Sequence, residues 1–364
     1  MLKLSHIIYL FIILAVTSCK NDKSKQSSTS SQVSDTSLVD NSNTEGIKKK
    51  IIDEDSISFY YWKSSANYSI IVDSVFKNHN IKNIYLHYFD VDVNKRGEVF
   101  PKYVIDGIDE QFFYFGRITP VVFITNRAIK NVGDIDTLAE KIHKLTDQIS
   151  YYYFYDKFKK IQVDCDWNQS TKEKYFKLLN ILNNYYRVSA TIRLHQIKYK
   201  DRTGVPPVEE GVIMVYNVGD LKNMNKNSIL QSNIVAQYVN EKTTYPLPLK
   251  MALPLFSQIV IKNNDDQYRL ASYNGYENIE KDKTHFNKIN NSLYKVKKDT
   301  LFKGFYLSPG YQIKIEKLQE KDVIESYKIV KSSKMNIPDV IFYHLDDNVI
   351  SNINLNSIIK DISK

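Results

Sequence analysis

From residue 58 onward, short runs of apolar and aromatic residues take turns with longer stretches whose apolar positions recur every three or four residues. The short runs read as strands and the longer stretches as helices. Ser58–Ser64 (SFYYWKS) predicts a first strand, and Asn67–Asn78 a helix behind it. Asn83–Val93, Thr119–Thr125 and Lys160–Trp167 predict the second, third and fourth strands, with a helix over Asp134–Ser150 before the fourth. Ser170–Tyr186 carries Tyr175, Leu178, Leu179 and Leu182 at helical spacing, with Ser170 as N-cap and Glu173 as its capping-box partner. Val188–Ile197 and Gly211–Asn217 predict strands five and six, followed by a helix over Ser228–Asn240. Leu247–Ile261 holds the seventh strand, Tyr311–Lys331 a helix, Ile337–Leu345 the eighth strand and Leu355–Ile362 a closing helix.

Eight strands separated mostly by helices argue for a parallel sheet, and eight is the number that closes a (β/α)8 TIM barrel. An open doubly wound sheet is the alternative. The polar stretch 263–309, between strands seven and eight, reads as an irregular insertion into a single domain spanning 53–364. No glycine-rich phosphate fingerprint is present among the 11 glycines.

The first 52 residues have a different character. Lys3 precedes an apolar run, Ile7–Val16, that is too short to cross a bilayer, which takes roughly 20 residues. Val16-Thr17-Ser18-Cys19 fits the lipobox of a bacterial lipoprotein. Residues 1–18 are then a signal peptide and Cys19 is the lipidation site. Two or three acyl chains make a lasting anchor. Residues 20–52 are rich in Ser, Asn, Asp, Thr and Lys, a composition that reads as a flexible tether. The expected location is the cell envelope, with the outer membrane preferred and the leaflet open.

Composition narrows the chemistry. With Cys19 lipidated, Cys165 is the one remaining cysteine, so no intrachain disulfide forms and stability rests on the core. The net charge of +9 is spread as scattered Lys, with no nucleic-acid motif. Most of the 27 Tyr and 17 Phe read as core, although exported proteins also stack such rings on sugars. The histidines lack metal-ligand spacing, no nucleophile elbow is present, and no cofactor is expected.

In a barrel, functional residues cluster at the C-terminal strand ends. That rule selects Asp90 and Asp92; Asp164, Asp166 and Trp167; Arg193, His195 and Gln196; Tyr216 and Asn217; and His344 and Asp346. Asp164 and Asp166 are two apart on one strand, so they share a face with Cβ atoms about 6.5–7 Å apart. Carboxylates this close do not titrate independently, and a protonated acid beside an ionised one suits glycoside hydrolysis. Asp166 is the candidate acid and Asp164 its partner. Arg193, His195, Tyr216 and Asn217 would contact a sugar, with Trp167 as a stacking platform. The competing reading makes Asp164, Asp166 and Arg193 a buried ion network that pins the barrel, and Trp167 a core residue.

Cys19 together with YYWKS, LHYFDVDV, IQVDCDW, ATIRLHQ, GVPPVEEG, VIMVYNVGDL and YPLPLKMALPLFS resembles a family of Bacteroidetes lipoproteins with glycosidase-like barrels. The resemblance covers nearly all of the chain beyond the tether and implies the barrel. A second resemblance is to family-18 chitinases. Their fourth strand carries Asp-x-x-Asp-x-Asp-x-Glu and their sixth Met-x-Tyr-Asp. Asp164 and Asp166 fall on the last two acidic positions, with Lys159 and Gln162 in place of the first two Asp. Met214, Tyr216 and Asn217 fall on the second motif, with Asn for Asp. This resemblance implies a glycan ligand, with hydrolysis and non-catalytic binding of a glycan or a protein partner both open.

Overall fold

The computed structural model describes residues 57–79, 81, 83–114 and 117–363. The expected signal peptide, tether and lipidation site at Cys19 lie outside the described residues.

Eight parallel strands close into a barrel: β1 (Ile57–Tyr61), β2 (Asn83–Val93), β3 (Arg117–Ile124), β4 (Lys160–Asp164), β5 (Arg187–Arg193), β6 (Glu210–Met214), β7 (Leu249–Pro254) and β8 (Asp339–Tyr343). Closure is made by β1, which pairs with β8 through Ile57↔Val340 and with β2 through Phe59↔Ile84. The expected (β/α)8 barrel is therefore the fold. Both faces of such a sheet are covered, which is why its strands read as near-continuous apolar runs. Alternate residues of each strand point outward under the helices, where Phe59, Leu86, Val163, Ile192, Ile213 and Val340 join one continuous core.

The interior residues form a separate cluster: Tyr60, Tyr85, Val121, Val212, Met214, Tyr216, Ala252 and Ile341. Gly211 at the foot of β6 faces the other way, and its missing side chain makes room for the outward-facing layer under the helices. A Cβ there would come within 2.4 Å of Ile192 Cδ1 and 2.8 Å of Leu249 Cδ2.

Three expected elements differ. The fifth strand stops at Arg193, and Leu194–Lys198 turns into a short helix, because Gln196 caps the turn by accepting from the Arg193 N–H at 2.7 Å. The helix after β4 runs Lys172–Leu182 and starts from Thr171 instead of Ser170; Ser170 bonds to Asn168, and Glu173 points to solvent in an ion pair with Lys172. The long apolar run ending at Ile261 is two strands, β7 and Gln258–Lys262, separated by a turn.

The second of those strands opens the insertion, which is not irregular. Its antiparallel sheet contains Gln258–Lys262, Tyr268–Ser272, Phe286–Lys288, Leu293–Val296 and Gln312–Glu316. It has its own core around Ile259, Phe286, Tyr294, Leu307 and Ile313. The insertion thus extends beyond 263–309 at both ends, and the helix expected over Tyr311–Lys331 begins only at Glu320. Alternation in QIVIK and QIKIE is short, and both segments abut longer apolar or helical runs, so period alone merges them with their neighbours.

The insertion is fastened to the loop after β6 by a buried pair. Lys314 and Glu316 have side chains 2% and 1% exposed and lie 2.7 Å apart. Lys314 Nζ donates to the carbonyls of Asn223 (2.8 Å) and Lys226 (3.0 Å). Glu316 accepts from the Ser228 N–H and hydroxyl, both at 2.7 Å, and from Gln258 Nε2 at 2.6 Å. Removing one member leaves the other charge buried and uncompensated, at a cost of about 3–5 kcal/mol. Lys314→Met or Glu316→Gln is expected to lower the melting temperature and to raise amide exchange across residues 221–229 ahead of the barrel strands. Unchanged exchange there would show that the pair does not fasten the loop.

Candidate functional site at the barrel mouth

The C-terminal strand ends gather a compact set of aromatic and ionisable groups. Gln162, Asp164 and Asp166 rise along one line on β4 and just past it, because residues two apart share a face. At the deepest level, the Tyr60 hydroxyl donates to Gln162 Oε1 at 2.6 Å. One level up, the Thr191 hydroxyl of β5 donates to Asp164 Oδ1 at 2.6 Å. At the rim, the Arg193 guanidinium grips Asp166 as a fork, with Nε on one oxygen and the second nitrogen 2.5 Å from the other. This planar two-point geometry is the strong form of the contact.

The two carboxylates live in different surroundings. Asp164 is buried, whereas the Asp166 side chain is 46% exposed. Burial pushes the Asp164 carboxyl up to about 6, with the nearby Asp166 charge adding to the rise. Thr191 and Arg193 oppose it. The Asp-x-Asp of β4 is therefore graded: a proton-holding carboxyl below and a guanidinium-bound carboxylate above.

Around this line stand Tyr216, which the strand-end rule selected, and four rings that it did not: Trp62, His87, Phe256 and Tyr343. Tyr216 stacks on Tyr343 at 4.9 Å and 16°. Trp62 lies 5.7 Å from Tyr343 and 4.6 Å from the His87 ring. Phe256 stands edge-on to Tyr343 at 5.7 Å. Tyr216 is enclosed, but Trp62, Phe256 and Tyr343 keep part of their surface open. His87 Nε2 lies 2.8 Å from Asp90 Oδ1. The legible signal was period two: Tyr60 on β1 with Trp62 just past it, Tyr85 and His87 on β2, and Ile341 and Tyr343 on β8 are the inward members of each alternation.

Other selected residues have different work. Trp167 is no stacking platform: it is 1% exposed, stacked on Tyr175 at 5.2 Å, and donates Nε1–H to the Thr203 carbonyl. It points outward from the barrel because it is odd-numbered from Asp164 and Asp166. Gln196 is fully buried and ties Arg193 N–H to the Trp167 carbonyl, so it shapes the turn and is not open to a ligand. His195 leaves the strand and sits exposed on the short helix, close enough to Arg193 and Asp166 for both charges to act on it.

Asp92 is gripped by Arg127, with Thr125 and Lys102 beside it. The Arg127 contact holds its carboxyl well below the usual range. Asp92 thus joins the end of β2 to the segment after β3. Asp346 caps Asp347–Ile350 and pairs with Lys63 at 2.8 Å. Asn217 is exposed in the left-handed region at φ 52°, a conformation Asn tolerates. His344 has a buried Nδ1, and burial lowers its pKa to about 4. Among the described residues, no group of three or more His, Cys, Asp and Glu is placed to hold a metal ion.

The chain matches no family model, and no curated protein matches it. Solved structures similar to it include the C-terminal domain of a protein described as a chitinase from Desulfitobacterium hafniense (8% identity, TM-score 0.47, 85% of this chain and 99% of that one). A chitinase from Bacteroides thetaiotaomicron (10%, 0.45, 85% and 95%) and a chitinase-like agglutinin from Robinia pseudoacacia (9%, 0.43, 84% and 98%) are also similar. Likeness at this level carries no argument about substrate or chemistry.

Asp164 and His344 make opposite contributions to stability against pH. The Asp164 carboxyl rises from 3.8 to about 6 on folding, so between those values the folded state holds a proton that the unfolded chain has lost. Its contribution is present below pH 3.8 and is lost as pH rises to about 6. His344 falls from 6.5 to about 4, so its contribution is present above pH 6.5 and is lost as pH falls. Asp164→Asn is expected to make unfolding stability climb more steeply from pH 4 to 6 than in the parent, by on the order of 1–3 kcal/mol over the interval. Urea unfolding at half-unit pH steps reads this, and identical slopes would refute the raised carboxyl.

Proposed function

We propose that this chain is a membrane-anchored lipoprotein of the bacterial envelope whose barrel mouth binds a glycan. The anchor is assigned to Cys19 on the lipobox, the outer membrane is the preferred location, and the resemblance to Bacteroidetes lipoproteins supports both. The glycan reading rests on one observation: three partly open rings, Trp62, Phe256 and Tyr343, stand over a rim that carries the Asp166–Arg193 pair. Sugar rings present C–H faces that pack on aromatics and hydroxyl edges that need charged or polar partners. Arg193, Asp166, Asp90 and His87 supply the second requirement, and Tyr216 fixes the orientation of Tyr343 from below.

Binding without turnover is the reading the geometry favours. The exposed carboxylate, Asp166, already spends both oxygens on Arg193, while the carboxyl whose pKa is raised to about 6, Asp164, is buried against Thr191. A general acid must reach the leaving oxygen to within hydrogen-bond distance. Hydrolysis is the second reading, favoured by the raised Asp164 itself, which supplies the shared proton that a paired-carboxylate mechanism draws on. In that case Arg193 swings onto the substrate, the Asp164 proton passes to the freed Asp166, and Asp166 delivers it to the leaving oxygen.

A panel of neutral, acetamido and acidic oligosaccharides, read for binding and for released sugar together, tests both. Trp62→Ala is expected to weaken binding about tenfold while the melting temperature changes little. Retention under Asp166→Asn with no sugar released by the parent supports the binding reading. Release that disappears in Asp166→Asn establishes the hydrolase, and no binding anywhere on the panel removes the glycan assignment.

A further inference from the structure

Barrel strands have a direction, so the two ends of the molecule are chemically distinct. The mouth described above lies at the C-terminal ends. The chain enters β1 at Ile57, at the opposite end. That same end carries an unusual surface. The 20-residue helix Ile135–Phe154 leads down to the start of β4, and its last turn with the following loop reads YYYFYDKFKK. Tyr151, Tyr152 and Tyr155 are 62%, 72% and 79% exposed. They are not spread singly: Tyr151 lies 6.4 Å from Tyr155, and Tyr152 stands edge-on to Tyr153 at 4.8 Å. Tyr185, 43% exposed at the neighbouring loop, stacks on His143 at 4.0 Å.

Basic residues border these rings. Lys157 and Lys159 are exposed beside them, and Arg187 on β5 binds back to Lys159 through its backbone N–H at 2.8 Å. Arg117, exposed at the foot of the adjacent β3, extends the border toward β2, the strand that pairs with β1 where the chain enters. The acids nearby are Asp147, paired with Lys157, Glu209, paired with Arg187, exposed Asp156, and exposed Asp106, whose charge acts on Tyr153; with two of the bordering cations paired, Lys159 and Arg117 are the ones left to meet anionic lipid. Clustered exposed rings of this size mark an interaction surface. Tyrosine with a lysine border is the composition of the zone where protein meets lipid headgroups: the ring sits among the upper acyl chains and glycerols, the hydroxyl stays wet, and the cation meets anionic lipid.

We propose that this N-terminal face of the barrel, centred on Tyr151, Tyr152 and Tyr155, rests on the bilayer surface and turns the opposite mouth toward the aqueous side. The proposal rests on the anchor at Cys19, because a lipidated chain stays at the membrane, where an exposed aromatic face can meet the bilayer surface. The acyl chains supply the lasting attachment. The tyrosine face supplies orientation, which acyl chains on a long polar segment do not. A glycan approaching from solvent then meets the mouth directly.

The test uses the full chain produced in a lipoprotein-processing bacterium and reconstituted into vesicles of zwitterionic lipid with about one third anionic lipid. Mass of the Cys19 peptide reads the anchor independently of everything else. A polarity-sensitive dye is placed at Asp156→Cys beside the tyrosines or at Lys222→Cys in the loop after β6; Cys165 is buried and does not compete. Headgroup-borne quencher is expected to quench the dye at 156 at least fivefold more than the dye at 222. Replacing Tyr151, Tyr152 and Tyr155 together by Ser, at exposed positions that leave the fold intact, is expected to erase that difference. Equal quenching at both positions, or a difference that survives the triple replacement, overturns the orientation. A lipid-free Cys19 with the quenching difference intact would refute the anchor while keeping the face as a membrane contact. A lipid-free Cys19 with no quenching would refute both. A chain that is lipidated but whose tyrosine face stays dark to the quencher and captures no lipid points that face to a protein partner instead.

Discussion

A parallel sheet that closes on itself must fill its own interior, and the inward positions of these eight strands do so with unusually large side chains. Tyr60, Tyr85, Tyr216 and Tyr343 occupy space that branched aliphatics fill in most barrels. Each tyrosine brings a hydroxyl that needs a partner in a low-dielectric setting, and burial raises each of their pKa values, so they remain neutral. The interior is therefore polar by necessity: Tyr60 meets Gln162, and Lys250 at the foot of β7 meets the Tyr85 hydroxyl at 3.1 Å. What stands at the mouth follows from this packing, because the same period-two line that fills the barrel with Tyr60 and Gln162 delivers Trp62 and Asp164 one step higher.

The graded pair on β4 shows how one strand gives two identical side chains different chemistry. Asp164 and Asp166 share a face, but one period of the alternation, two residues, separates a water-poor level from the rim. Desolvation governs the lower carboxyl and a guanidinium fork governs the upper. Arg193 belongs to both: its charge opposes the rise at Asp164 while its fork engages Asp166. The two carboxyls thus differ in depth and in partner, one buried on Thr191 and the other partly open on Arg193, and the upper one gives the mouth a charged hydrogen-bonding edge beside its aromatic rings.

The ends of the molecule divide the labour. At the mouth, ions such as Asp92–Arg127 and Lys63–Asp346 lock strand ends to the segments that follow them, so the rings and carboxylates stand on a braced rim. The Lys314–Glu316 pair adds the inserted sheet to that rim by gripping the loop after β6. At the other end, Lys250 bridges toward Asp339 at 3.3 Å and the foot of the barrel is closed by charge, while the tyrosines of the first long helix face outward.

The number of strands, their parallel order and the placement of Asp164, Asp166 and Arg193 on adjacent strands were legible in the sequence. Buried parallel strands read as apolar runs bounded by helices, and side-chain direction along a strand follows strict alternation. The same alternation already excluded Trp167 from the face of Asp164 and Asp166, a consequence the residue's aromatic character obscured. Three things were settled only in the folded chain. Gln196 and His195 left their strand because a backbone N–H found a side-chain cap, a local competition that hydrophobic period does not register. The strands of the insertion were hidden because five-residue alternations beside longer runs carry too little signal. The difference between Asp164 and Asp166 arose from depth and from a guanidinium 27 residues away in sequence, and solvation and long-range partners exist only once the barrel has closed.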